Sequence, residues 1–209
     1  MEIIAAATRL GEFSLTMQFV LQKLQEYTGF ECIGVRVRHE TGDYPYVAHT
    51  GFNKSFIRKE DSLFRRDHGR RVRRDRDGRP RLECLCGNVL RRRFDPRLPF
   101  FTAGGSFWTN SATTLPASAT ATDRQSRTGH TCNAKGSESV GLFPLMLDGE
   151  VVGLLQLNDH RKNMFSGDAV LEYELAATNM AAFLYHATIF RSLDLSRLSW
   201  ARPRPSSAN

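Results

Sequence analysis

The segment Ser139–Asp159, SVGLFPLMLDGEVVGLLQLND, constrains this chain more than any other stretch. Two apolar runs, Val140–Leu147 and Val151–Leu157, flank the tetrad Leu147-Asp148-Gly149-Glu150. Asp-Gly between aliphatic and β-branched runs is a strong hairpin signal, because glycine accepts positive φ without a Cβ clash. Pro144 has no N–H to give to a ladder, so the first strand reads as an edge strand or as bulged at that point. The second strand runs into Asn158-Asp159, and after Phe165-Ser166 an apolar helix follows.

The remaining elements are legible from period and punctuation. Phe13, Met17, Val20, Leu21, Leu24 and Tyr27 recur at helical spacing, and Gly29 stands where a glycine ends a helix. Glu31–Arg38 alternates, with Ile33, Val35 and Val37 on one face and Arg36 and Arg38 on the other, which reads as a half-buried strand. Tyr44–Thr50 reads as a second strand and Gly87–Arg93 as a short helix. The closing helix starts near Ser166 and reaches as far as Ser192. Phe94–Thr131, rich in Pro, Gly, Ser and Thr, reads as one long loop, and loops of that length are usually functional. No internal repeat stands out. The expected fold is α+β, an antiparallel sheet backed by helices. Residues 1–28 form an N-terminal helix, 29–190 the domain proper and 191–209 a partly disordered extension. Inside the domain lie a basic hairpin insertion at 65–81 and the long loop at 94–133.

Composition narrows the function classes. No apolar run is long enough to span a membrane, and MEIIAAATRLGEF is a poor secretory signal. The expected location is the cytoplasm, where four cysteines suit free thiols, redox sensing or metal ligation better than structural disulfides. The net charge of +7 is local in origin: residues 65–81, RRDHGRRVRRDRDGRPR, hold nine Arg and three Asp. Interleaved aspartates, the Asp77-Gly78 turn and the lack of aromatics favour a solvated hairpin over nucleic-acid contact, which stays as the alternative.

Two constellations could carry chemistry. Cys84-Leu85-Cys86 together with Cys132 can share a metal or a redox partner, and His130 or Cys32 would complete four ligands. Buried inert thiols are the competing reading. The run Phe100–Asn110 sets three Phe and Trp108 beside Thr109 and Asn110. Its rings either wall a ligand pocket or pin the loop onto the core. No nucleophile elbow, Walker loop, dinucleotide fingerprint or zinc-protease motif is present.

The phrases Glu83-Cys84-Leu85-Cys86-Gly87, Gly105-Ser106-Phe107-Trp108-Thr109-Asn110 and Leu154-Leu155-Gln156-Leu157-Asn158-Asp159 resemble the GAF input modules of bacterial and archaeal PAS/GAF sensor histidine kinases. The resemblance implies a sensory protein of signal transduction, not an enzyme. It implies a small-ligand or redox site at Cys84, Cys86, Cys132, Trp108, Asn110 and Asn133. It also implies a metal or iron–sulfur cluster held by Cys84, Cys86 and Cys132, a homodimer through the terminal helices, and a kinase or other output partner. Phe64 and Arg92 stand where the family pattern often has cysteines, which removes two possible ligands. The residues after the closing helix are too few for a kinase transmitter, so a stand-alone protein or a fragment is expected. The enzymatic alternative is a GAF-type free methionine-R-sulfoxide reductase using the same three cysteines.

Overall fold

The computed structural model describes residues 2–82, 84–115 and 136–200. Helix α1 (Glu2–Thr28) leads into strand β1 (Cys32–Val37), β2 (Tyr46–Thr50) and the short helices α2 (Lys54–Glu60) and α3 (Cys84–Leu90). Strand β3 (Phe107–Thr109), the hairpin β4 (Ser139–Leu147) and β5 (Glu150–Asp159), and helix α4 (Gly167–Trp200) complete the fold. The five strands form one antiparallel sheet in the order β2-β1-β5-β4-β3. This is the expected α+β architecture.

The hairpin turns at Asp148 and Gly149, both at positive φ (47° and 82°), the tight turn that matches strand twist. β4 lies inside the sheet, but β3 pairs only Val140–Leu142, so the strand is unflanked on that side at Pro144. The register also shifts between Leu145 and Met146. The strand is thus not an edge strand, and a local gap in the ladder with a bulge one residue beyond accommodates the proline.

Two apolar layers sandwich the sheet. On one face α1 and α4 bury Phe13, Met17, Leu21, Val170, Tyr173 and Ala177 against Ile33, Val35, Phe143, Leu155 and Leu157. On the other, α3 and the loop before β3 bury Cys86, Val89, Leu90, Phe100 and Phe107 against Leu142 and Leu154. Each fully buried leucine contributes roughly 1.5–3 kcal/mol. The free edge of β2 is covered by α1: Gln18 donates to the His49 carbonyl (2.9 Å) and accepts from its N–H (3.3 Å).

Four expectations need correction. β1 is buried on both faces, and Arg36 is 1% exposed where alternation places it in solvent, because α2, α3 and their loops cover that face. The short helix starts at Cys84 and stops at Leu90, with Arg92 at positive φ after it. The long loop contains β3, too short a strand to leave a period. Residues 65–81 form two turns, one at Asp67–Arg71 and one at Asp75–Arg79, where one hairpin is expected. No described helix is long and apolar enough to cross a membrane.

Candidate functional site

A buried polar cluster sits under α3 and is built around Arg36. Gly34 has no side chain, and a Cβ there would lie 2.7 Å from the Tyr46 ring. Tyr46 can therefore lie over β1, with the Arg36 guanidinium 3.6 Å from its ring centroid. Arg36 Nη1 donates to the Tyr44 carbonyl (2.8 Å) and the Asp61 carbonyl (3.1 Å), and Nη2 to the Glu60 carbonyl (2.5 Å). The bonds to Glu60 and Asp61 satisfy carbonyls left over at the C-terminal end of α2. Arg36 Nε, also buried, has no hydrogen-bond partner among the described residues.

A polar ladder runs from this corner along β5. The Tyr46 hydroxyl donates to Gln156 Oε1 (2.8 Å), Gln156 Nε2 to Asn158 Oδ1 (2.9 Å), and Asn158 Nδ2 to Ser137 Oγ (3.2 Å). Gln156 and Asn158 are both buried, so this network is satisfied internally.

Cys86 meets the ladder with its Sγ 4.0 Å from Gln156 Oε1, and is itself buried. Its thiol is held below the ordinary thiol range. The hydrogen bond from Cys84 is the largest cause, burial opposes it, and the Arg36 charge adds to it. Cys84 is half-buried and takes a left-handed backbone (φ 55°), a conformation that costs a non-glycine residue on the order of 1 kcal/mol. The cluster thus joins two thiols of unequal exposure to a buried cation, an arrangement that stabilises a thiolate.

Of the residues singled out by sequence, Cys84 and Cys86 come together. Trp108 and Asn110 lie elsewhere. Trp108 points to the opposite face of the sheet, edge-on to Phe165 at 6.2 Å. Asn110 clamps the Phe165 backbone, donating to its carbonyl and accepting from its N–H, each at 2.8 Å. Phe100, Phe101 and Phe107 pack on one another with centroids 5.3–6.0 Å apart, the arrangement of a pinned loop. Cys132, Asn133 and His130 fall outside the described residues. Cys32 is separate, paired across the ladder with Asn158, and its thiol is pushed up to about 11 by burial, Glu31 and Asp159.

Of the expected metal ligands Cys84, Cys86 and Cys132, only the first two are described, and the Arg36 charge beside Cys86 opposes a cation at that thiol. Glu31, Asp159 and His160 do converge, but Asp159 is engaged by Arg161 (2.7 Å) and His160 by Glu31 (2.5 Å). Sequence reasoning missed Arg36, Tyr46 and Gln156. The Gly34-x-Arg36 pair, with a glycine that admits a ring beside a basic strand residue, was the signal available.

No family model matches the chain, and no curated protein matches it. Solved structures do. The GAF domain of a phosphoenolpyruvate-protein phosphotransferase from Coxiella burnetii superposes with a TM-score of 0.57 at 16% identity, covering 86% of each chain. The blue-light-absorbing form of the PixJ GAF domain of Thermosynechococcus elongatus gives 0.56 at 11% identity, over 94% of this chain and 98% of that one. A type II free methionine-R-sulfoxide reductase from Thermoplasma acidophilum gives 0.54 at 14% identity, over 85% and 96%. The last of these overturns the expectation that the resemblance excludes an enzyme, since the same fold serves a reductase. At these identities the likeness is one of fold. Sheet order, helix placement and these three structures agree that the chain has the fold of a GAF domain.

Proposed function

We propose that this domain is a sensory module of signal transduction whose input is the redox state of the Cys84–Cys86 pair. The observation that carries the reading is the buried Cys86 thiol, held between Cys84 and the Arg36 guanidinium and shifted toward thiolate. The Cys84 proton first passes along the hydrogen bond to the Cys86 thiolate, and Cys84, the more exposed sulfur, then attacks a small peroxide as its thiolate. The O–O bond breaks, hydroxide leaves, and it takes the Cys86 proton as water. Cys86 thiolate then attacks the Cys84 sulfenic acid, forming the S–S bond and releasing the second oxygen as hydroxide. Two electrons pass from the thiols to the peroxide. Closing the pair pulls on the first turn of α3, and Gln156 links that turn to β5, whose opposite face bears α4. In this reading the chain works in the reducing cytoplasm.

The output is a homodimer through the terminal helices, which engages a kinase or another effector. Exposed Leu15 and Phe19 on α1 and Leu171 and Leu175 on α4, each pair at i, i+4 spacing, support that surface. The fold shared with the Thermoplasma reductase supports a second reading, in which the same pair reduces a sulfoxide. There the sulfoxide oxygen leaves as water while the two thiols become a disulfide.

Peroxide treatment followed by mass spectrometry of the peptide spanning residues 82–91 tests both. An internal disulfide in the native protein, absent from C84S and C86S, is expected. A peptide that remains a dithiol while the fold is intact removes the redox reading. Release of methionine from free methionine sulfoxide, with matching thiol loss, would make the second reading the correct one.

A further inference from the structure

The arginine-rich segment 65–81 is not used by the thiol site, and its architecture is unlike a solvated hairpin. Contrary to the expectation of no internal repeat, it holds two copies of an eight-residue unit: Arg65-Arg66-Asp67 recurs as Arg73-Arg74-Asp75, and Arg71-Val72 as Arg79-Pro80. The chain closes on itself at each repeat boundary. Arg73 N–H donates to the Arg65 carbonyl, Arg81 N–H to that of Arg73, and Arg65 N–H to that of Arg81, each at 2.8 Å. Two lobes leave this ring, with matching bridges Arg66–Val72 and Arg74–Pro80.

Two of the three aspartates, Asp67 and Asp75, bind backbone N–H groups of their own lobes. Asp67 Oδ1 accepts from Arg71 N–H (2.9 Å). Asp75 Oδ1 accepts from the N–H groups of Arg79 (2.9 Å) and Asp77 (3.0 Å). Those backbone bonds, Arg79 first, hold the Asp75 carboxyl below its ordinary range. Arg66 and Arg74 brace their own lobes, donating to the Arg70 and Gly78 carbonyls (3.0 and 2.7 Å). The side chains of Arg71, Arg73, Arg76 and Arg79 are exposed and, among the described residues, none of them bonds to the ring or the turns. Arg91 donates to the Pro80 carbonyl (3.0 Å), which ties the exposed Arg92 and Arg93 to the same surface. Residues 65–93 carry +8, so the rest of the chain sums to −1.

We propose that this double lobe docks on the phosphate backbone of a nucleic-acid duplex without reading its sequence. The segment holds nine arginines and no lysine, and the planar forks of arginine grip phosphate oxygens in pairs where lysines would act as point charges. Two equivalent lobes match a ligand that repeats its anion. The segment contains no Phe, Tyr or Trp on which single-stranded bases could stack. Its only apolar residues, Val72 and Pro80, are half-buried in the bridges, so no side chain is available to wedge into a membrane.

Fluorescence anisotropy of a labelled duplex, titrated with the full chain at several salt concentrations, tests this. About four or five phosphate contacts give a log–log salt slope near −4, a loss of roughly 250-fold between about 50 and 200 mM salt. Replacing Arg71, Arg73, Arg76 and Arg79 together with Gln, with unchanged thermal unfolding, should lower affinity at least tenfold and flatten the slope. No binding at the lowest salt overturns the proposal. So does affinity unchanged by the four substitutions, tighter binding of a single strand of equal length, or binding to phosphatidylserine vesicles but not to duplex.

Discussion

Replacing Arg36 with Met removes one buried cation and tests both the packing and the chemistry of the site. Met keeps most of the side-chain volume but none of the donors. The Tyr44 carbonyl is left buried without its guanidinium partner, a cost of about 1–3 kcal/mol. Loss of the stacking on Tyr46 adds about 1–2 kcal/mol. The Glu60 and Asp61 carbonyls belong to less buried residues and recover water. Relief from burying a charge offsets part of the loss, leaving a net destabilisation of about 2–4 kcal/mol. For a domain of this size that lowers Tm by roughly 5–15 °C. The same change removes a cation that favours the Cys86 thiolate, so the titration of the pair moves up. Because the folded-state value lies below the ordinary 9.0, Cys86 contributes stability above that pH and loses it as pH falls through the folded value. In R36M this rise of stability with pH shrinks. Urea unfolding across pH, and thiolate ultraviolet absorbance in a C32S/C132S background, read the two effects. A stability change under about 0.5 kcal/mol, or a thiolate titration unmoved by R36M in a folded protein, refutes the reasoning.

Three further perturbations follow from the geometry. Cys32 titrates at about 11 in the fold against 9.0 unfolded, so its contribution is intact below pH 9 and is lost as pH rises toward 11. C32A should flatten that alkaline loss in urea midpoints, and an unchanged alkaline limb would contradict it. Asn110→Ala leaves both backbone groups of Phe165 without the Asn110 side chain and should cost about 2–3 kcal/mol in chemical denaturation. Gly51 has φ 77°, and a Cβ there would collide with the Glu31 carbonyl. G51A should therefore cost more than about 3 kcal/mol or abolish soluble expression, whereas a native-like melting curve would show that the β2 exit can shift.

What the sequence by itself determined was local: the 139–159 hairpin, the strand periods and the two terminal helices. In each, period and turn chemistry agree, and Asp148-Gly149 needs no tertiary partner to specify its turn. The C-x-C pair was legible for the same reason, since two residues cannot separate two sulfurs far. The burial of Arg36 was decided by tertiary structure alone. Alternation says only that Arg36 opposes Val35, and whether that face meets water depends on α2 and α3, which arrive from later in the chain. The separation of Trp108 from Cys86 has the same origin, because β3 turns its alternate residues to opposite faces of the sheet. Contacts between residues distant in sequence leave no period to read, so the site around Arg36 emerges only when the sheet closes.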